Sequence, residues 1–216
     1  DTDELIVLLM IQNREINQQL ENQLHAVGDK IEIQNYLHPA WTFIPEKKSF
    51  FQSLKQCLKI KKPVSDRKFV RLGKNYDGGY VLLDDFSSDM RVYSFGISND
   101  VSFEKELAEK GLQIYMYDHT IMGLPEQHNN FHFFRTKISH IDEPKNNKLC
   151  MQTLLNNNGD LKNKRLLLKM DVEGAEWEFL EHVPSEILDQ FLQITFEFHR
   201  LTDRSNAKQI IHCLNK

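Results

Sequence analysis

The sequence predicts an α/β fold, an open and mostly parallel sheet with helices on both faces, and three observations predict it. Short apolar runs alternate with helix-length segments over most of the 216-residue chain, the pattern of strands joined by helical crossovers. The run Leu166-Leu-Leu-Lys-Met170 has the near-continuous apolar character of a strand covered on both sides. Carboxylates then gather directly after it, at Asp171 and Glu173, where open α/β sheets place their ligands.

From Asp1 to about Gln34 the chain is rich in Gln, Asn, Glu and Leu, has no proline, and reads as one long helix. Leu9, Ile16, Leu20 and Val27 follow a heptad seam that Asn13 and Gln23 interrupt, so the helix either packs on its own domain or pairs two copies as a homodimer. His38-Pro39 and Ile44-Pro45 break the chain and separate an N-terminal helical segment, residues 1–45, from an α/β domain, residues 46–216. A helix over Lys47 to Leu58 precedes two extended runs, Phe69 to Leu83, around Asp77-Gly78-Gly79, whose turn chemistry favours a hairpin. Strand Arg91 to Phe95, helix Val101 to Lys110, strand Leu112 to Tyr117 and strand Phe131 to Ile138 follow. The remainder reads as a helix over Leu149 to Asn156, the strand ending at Met170, a helix over Ala175 to Val183 stopped by Pro184, strand Leu192 to His199 and a helix over Ser205 to Leu214.

The totals exclude several functions. With 27 basic residues against 31 acidic ones, a net charge of −4 and no long basic block, no nucleic-acid partner is expected. Cys57, Cys150 and Cys213 are odd in number and far apart, which suggests neither a disulfide framework nor a zinc site and fits a reducing, cytoplasmic setting. The apolar run Leu5 to Ile11 is far shorter than the ~20 residues of a bilayer span. It also lacks the basic start and cleavage site of a signal peptide.

The chemistry is carried by two strand ends besides the opening one. Tyr93 to Glu104 runs from a strand through Gly96 into a helix start marked by Asn99, Asp100 and Ser102; Gly96 lets backbone approach a ligand, and free amides of the helix start are expected to face it. About twenty residues on, Asp118 ends the next strand, the offset at which an acidic side chain holds ribose hydroxyls. A dinucleotide asks for a three-glycine turn and a triphosphate for a Gly-x-x-x-x-Gly-Lys-Ser/Thr loop, and neither is present. S-adenosylmethionine carries ribose and adenine without phosphate and suits a lone glycine better than NAD.

These residues resemble the class I S-adenosylmethionine-dependent methyltransferases, and within them the FkbM-like and related small-molecule or glycan methyltransferases. Asp171-Val-Glu-Gly-Ala-Glu-Trp177 resembles the Asp-x-Glu-Gly-Ala-Glu signature of that group, while Arg71 to Tyr80 and Ser94 to Glu104 are similar to its flanking motifs; the likeness covers about Phe69 to His199. The resemblance implies a Rossmann-like sheet in which Gly96, Ser98 and Asp100 line the methionine part of S-adenosylmethionine, Asp118 its ribose, and Asp171 the reaction centre; His119, next to Asp118, is a further cofactor-binding candidate. This chain departs in having no further glycine in the first loop. It also stops at Lys216, soon after the fifth strand of the order read here, so the antiparallel pair that ends the class is expected to be absent.

Methyl transfer to a hydroxyl needs alignment and a base. Asp171, Glu173, Glu197 and His199 all approach the carboxyl edge of adjacent strands, and His199 or Asp171 is the expected base toward a sugar or other small hydroxyl compound. His119 competes for that role. Asp171, Glu173 and Glu197 are alternatively oxygen ligands for a divalent cation. Glu173 and Glu176 also suit a helix N-terminus, and Trp177 suits packing. A nicotinamide-dependent or nucleotide-sugar-binding enzyme, and a non-catalytic module assembled through the N-terminal helix, are the competing readings.

Overall fold

The computed structural model describes residues 6–11, 68–75, 78–200 and 207–215. In chain order the strands are β1 (Ile6–Ile11), β2 (Phe69–Gly73), β3 (Gly79–Leu83), β4 (Arg91–Phe95), β5 (Gln113–Tyr117), β6 (Phe131–Phe134), β7 (Lys137–Ile138), β8 (Lys148–Leu149), β9 (Leu166–Met170) and β10 (Phe191–Phe198). The helices are α1 (Ser102–Glu109), α2 (Met151–Asn157), α3 (Glu176–His182), α4 (Ser185–Leu188) and α5 (Ala207–Asn215).

Six strands form one sheet in the order β1-β10-β9-β4-β5-β6, and every neighbouring pair is parallel. Side-chain alternation sorts it into two cores. Leu166, Leu168 and Met170 of β9 pack with α2, α3, α4 and α5, through Leu155, Trp177, Ile187 and Ile210 among others. Leu167 faces the opposite way, toward Leu107 of α1 and Tyr80 and Leu82 of the β2–β3 ladder. The Rossmann-like α/β class read from the sequence is therefore the observed one.

The chain leaves β4 toward β5 on one side, while β9 lies on the other, so the order in which the chain adds strands reverses between β4 and β9 although the strands stay parallel. This switch point is where a ligand crevice opens beyond the strand ends. There Gly96 has φ 76°, and a Cβ at that position would lie 1.5 Å from the carbonyl oxygen of Asp171. Only glycine lets the two departing chains pass this closely.

The β2–β3 pair is the antiparallel hairpin that Gly78 and Gly79 suggested, with Gly73 opposite Gly79. Buried Gln193 of β10 ties it to the sheet: its Oε1 accepts from the Leu83 N–H at 2.7 Å and its Nε2 donates to the Leu83 carbonyl at 3.1 Å. The hairpin thus forms a fixed wall over the α1 face, with Tyr80 brought to the strand ends.

Two expectations need correction. The single helix through Asp1 to Gln34 fails at Ile6–Ile11, which is a strand paired in parallel with β10. Six successive apolar residues, three of them β-branched, suit a sheet position better than one stripe of a helix, and the heptad pattern through Leu9 obscured this. The strand expected over Phe131 to Ile138 is two: β6 pairs with β5, while β7 pairs with β8 in a separate ladder. The rest of the heptad seam, the helix over Lys47 to Leu58 and the boundary near Pro39 and Pro45 lie outside the described residues. Among the described residues no helix is long and apolar enough to cross a membrane.

Candidate active site

A cavity of about 770 Å3 opens at the switch point, lined by the loop Gly96 to Asp100, by Asp118 and His119 after β5, by Thr136 to Ile138, and by Lys169, Asp171, Glu173, Glu197 and His199. Its size is that of a pocket for a drug-sized organic ligand. Every cofactor and catalytic candidate from the sequence, Gly96, Ser98, Asp100, Asp118, His119, Asp171, Glu173, Glu197 and His199, borders this one space.

At one end, the Asp118 carboxylate is filled by its own chain. Oδ2 accepts from the backbone N–H groups of Ile97 and Ser98, both at 2.9 Å, and Oδ1 accepts from the Thr120 N–H at 2.7 Å and its hydroxyl at 2.6 Å. Ser98 has φ 53°, so two successive N–H groups converge as a small anion nest. Asp100 receives the Ser102 N–H at 3.1 Å at the start of α1. The free amides expected of this loop are therefore taken, because two carboxylates already sit against them. Burial opposes ionisation of Asp118, but the hydrogen bonds from Ser98, Thr120 and Ile97 outweigh it and hold the carboxyl below its usual range. Its contribution to stability is thus present above about pH 3.8 and lost as pH falls through the lowered value. Asp118→Ala orphans the Ile97 and Ser98 donors, and a loss of about 2 kcal/mol is expected in urea unfolding at pH 7.

The other end is built on Asp171. The backbone N–H of Asp171 donates to the Phe95 carbonyl at 3.1 Å, continuing the β4–β9 ladder past both strands. Tyr80 donates its hydroxyl to Asp171 Oδ2 at 2.6 Å, and Lys169 Nζ lies 3.6 Å from the same oxygen. Burial first, and then the Asp171 charge, hold the Tyr80 phenol well above its ordinary value, so it stays a donor. Lys169 is buried, donates to the carbonyls of Phe95 and Gly96, and lies 5.1 Å from the centre of the Tyr80 ring. It pins the ends of β4 and β9 together under the cavity.

His199 completes this end. Its Nδ1 is 3.0 Å from Oε1 of Glu176, a fully buried carboxylate that also accepts the Val172 N–H at 2.8 Å. Its Nε2 lies 3.7 Å from Asp171, 3.6 Å from Glu173 and 3.9 Å from Glu197. Trp177 fixes the backbone by donating Nε1–H to the His199 carbonyl at 2.8 Å. Burial disfavours the imidazolium, but the Glu176 hydrogen bond and the charges of Glu176, Glu173 and Asp171 prevail and push the pKa up to about 9. Ligand atoms of Asp171, Glu173 and His199 all lie within 4.8 Å of one another, so His199 joins Asp171 and Glu173 where the sequence nominated Glu197 as a third cation ligand.

Three members of this site were not among the sequence candidates: Tyr80, Lys169 and Glu176. A lysine inside an otherwise apolar buried strand was the legible signal for Lys169. Tyr80 directly follows the two glycines of the hairpin. Nothing local marked Glu176 as a partner of His199, since the contact joins residues far apart in the chain. Ser98, Glu173 and Arg200 all have positive φ without being glycine, at 53°, 56° and 56°. Such conformations cluster where a site is held under constraint.

Similarity to curated sequences covers half of the chain. The Homo sapiens probable methyltransferase-like protein 24 is 32% identical over 122 residues, 50% of this chain and 32% of the relative. The Rattus norvegicus protein of the same name is 30% identical over 120 residues, again 50% of this chain and 32% of the relative. The chain thus matches about a third of the length of these curated relatives. No family model matches the chain, and no solved structure does.

Proposed function

We propose that this chain forms the cofactor and catalytic site of an S-adenosylmethionine-dependent methyltransferase that methylates a hydroxyl group of a sugar or another small molecule. The observation that carries the reading is the cavity itself, which joins Asp118, Gly96 and the Asp171–His199 pair across one switch point, together with the methyltransferase-like relatives.

The fit to this cofactor rests on the loop after β4. A pyrophosphate needs free amides, and those of Ile97 and Ser98 are held by Asp118. A ligand of ribose, adenine and a cationic methionine part makes no such demand, and carboxylates suit its sulfonium and ammonium. Gly96, Ser98 and Asp100 would border the methionine part, Asp118 and His119 the ribose side, and Asp171 the reaction centre. When bound, S-adenosylmethionine supplies an electrophilic methyl group.

The chain's residues then have distinct tasks. Tyr80 and Lys169 hold Asp171 in one orientation, so that it positions the acceptor hydroxyl for in-line attack. Glu176 orients His199 with Nε2 toward Asp171, placing at the same point a ring nitrogen that accepts a proton once the imidazolium has lost its own. The FkbM-like signature Asp171 to Trp177 favours a glycan or sugar acceptor. Asp171, Glu173 and His199 Nε2 are also the atoms that would hold a divalent cation, and a turnover insensitive to EDTA would remove that role.

Calorimetric titration with S-adenosylhomocysteine and, separately, NAD tests the reading. Micromolar binding of the first and none of the second is expected. NAD binding alone, or neither, would falsify it.

A further inference from the structure

The amino-acid end of the proposed cofactor is a zwitterion, and its two charges make opposite demands. The ammonium needs a carboxylate, which Asp100 supplies at the end of the cavity beside Gly96. The carboxylate needs donors, and most of the amides in this turn are already engaged. The N–H groups of Ile97 and Ser98 are held by Asp118, that of Asp100 donates to the Ile97 carbonyl at 3.3 Å, and that of Ser102 donates to Asp100.

A cationic donor stands next to them on the β2–β3 hairpin. Lys74, directly after β2, borders the same cavity and places Nζ 3.2 Å from Asp100 Oδ1. The two other lysines on the cavity wall are placed differently. Lys169 Nζ is bound to the Phe95 and Gly96 carbonyls beside Asp171, and Lys137 begins β7, past the edge strand β6.

The hairpin is fastened here by its backbone. The Gly73 N–H donates to Glu106 Oε1 at 3.1 Å and the Lys74 N–H to Ser102 Oγ at 3.0 Å. Gly78 on the returning arm has φ 87°, and a Cβ there would run into Asp100 Oδ2, so the turn rests directly on Asp100. The Lys74 side chain therefore takes no part in anchoring. It is 57% exposed, and an ion pair so open to water contributes little by itself and is readily exchanged.

Resting on the methyltransferase reading, we propose that Lys74 binds the carboxylate of the cofactor's amino-acid end, the Lys74–Asp100 pair being exchanged for two pairs with the ligand. Lys74 takes the carboxylate and Asp100 the ammonium, so each keeps an opposite charge. The hairpin then belongs to the cofactor site, and the element that meets the cofactor through Lys74 also carries Tyr80, the donor to Asp171.

The test uses S-adenosyl-3-thiopropylamine, which is S-adenosylhomocysteine without its carboxylate and with its ammonium kept. By calorimetry at pH 7 the wild-type chain is expected to bind S-adenosylhomocysteine about tenfold more tightly than the amine. In Lys74→Met that ratio is expected to fall to about one through weaker S-adenosylhomocysteine binding alone, and Lys74→Arg is expected to restore most of it. A wild-type chain without the preference overturns the inference and leaves the cofactor reading intact. A Lys74→Met protein that retains the preference does the same, whether both affinities are unchanged or equally weakened. Loss of the preference in Lys137→Met, with Lys74→Met unaffected, moves the carboxylate to β7 and overturns the assignment. Failure of both ligands to bind the wild-type chain sinks the cofactor reading and this inference with it.

Discussion

Gly96→Ala is expected to cost at least about 4 kcal/mol in urea unfolding and to abolish cofactor binding in the fraction that folds. Two penalties act together. The residue sits at φ 76°, which an L side chain rarely adopts, and its new Cβ would lie 1.5 Å from the Asp171 carbonyl oxygen. That oxygen belongs to backbone, so relief requires the ends of β4 and β9 to separate. Separation would also strain the Asp171 N–H to Phe95 carbonyl bond and the Lys169 bonds to the Phe95 and Gly96 carbonyls. Gly123→Ala supplies the control, since a Cβ there meets nothing within 4 Å. An unchanged midpoint and unchanged S-adenosylhomocysteine affinity in Gly96→Ala would show that the strand ends are more pliant than this packing allows.

The same position shows what the sequence makes legible. Gly96 and the acidic turn after Met170 mark strand ends because apolar runs stop there, and local pattern is enough to find them. The parallel sheet follows from alternation, and boundaries such as Ser102–Glu109 and Glu176–His182 follow from Asp100 and Ser102 at the start of one helix and Pro184 after the other. Ile6–Ile11 misled because an apolar run has no period to distinguish strand from helix, and flanking Gln and Asn extended the helical pattern over it.

What stayed hidden was long-range. Tyr80 reaches Asp171 from a hairpin outside the main sheet, and Glu176 reaches His199 across two elements. Both contacts depend on how separate segments pack. Asp118 is subtler: its placement at a strand end was readable, but two of its four hydrogen bonds come from a backbone conformation at Ser98 that no side-chain pattern encodes, the other two coming from Thr120. Lys169 was readable in principle, because a charge in a strand buried along its whole length requires partners.

Glu176→Gln is expected to lower the His199 pKa from about 9 toward 6.5, by at least one unit, as followed by NMR of the imidazole. Gln keeps an acceptor for the Val172 N–H, so the fold is retained while the charge facing Nδ1 disappears. The raised value has a definite sign in stability. The imidazolium's interactions contribute fully below about pH 6.5 and are lost as pH rises through about 9, at most about 3 kcal/mol in all. The variant should therefore be less stable than wild type at pH 6 and nearly equal to it at pH 10. Catalysis separates the two candidate bases. An imidazolium accepts no proton, so with His199 as base kcat/KM rises through pH 7 to 9, the rise displaced downward because the sulfonium repels the imidazolium charge. Glu176→Gln moves that rise further toward neutral pH, and His199→Gln removes it with about a hundredfold loss of kcat. With Asp171 as base, the profile is flat over the same range in all three proteins, and Asp171→Asn alone removes turnover. A flat profile assigns Glu176 and His199 to positioning Asp171; a displaced rise assigns the proton to His199.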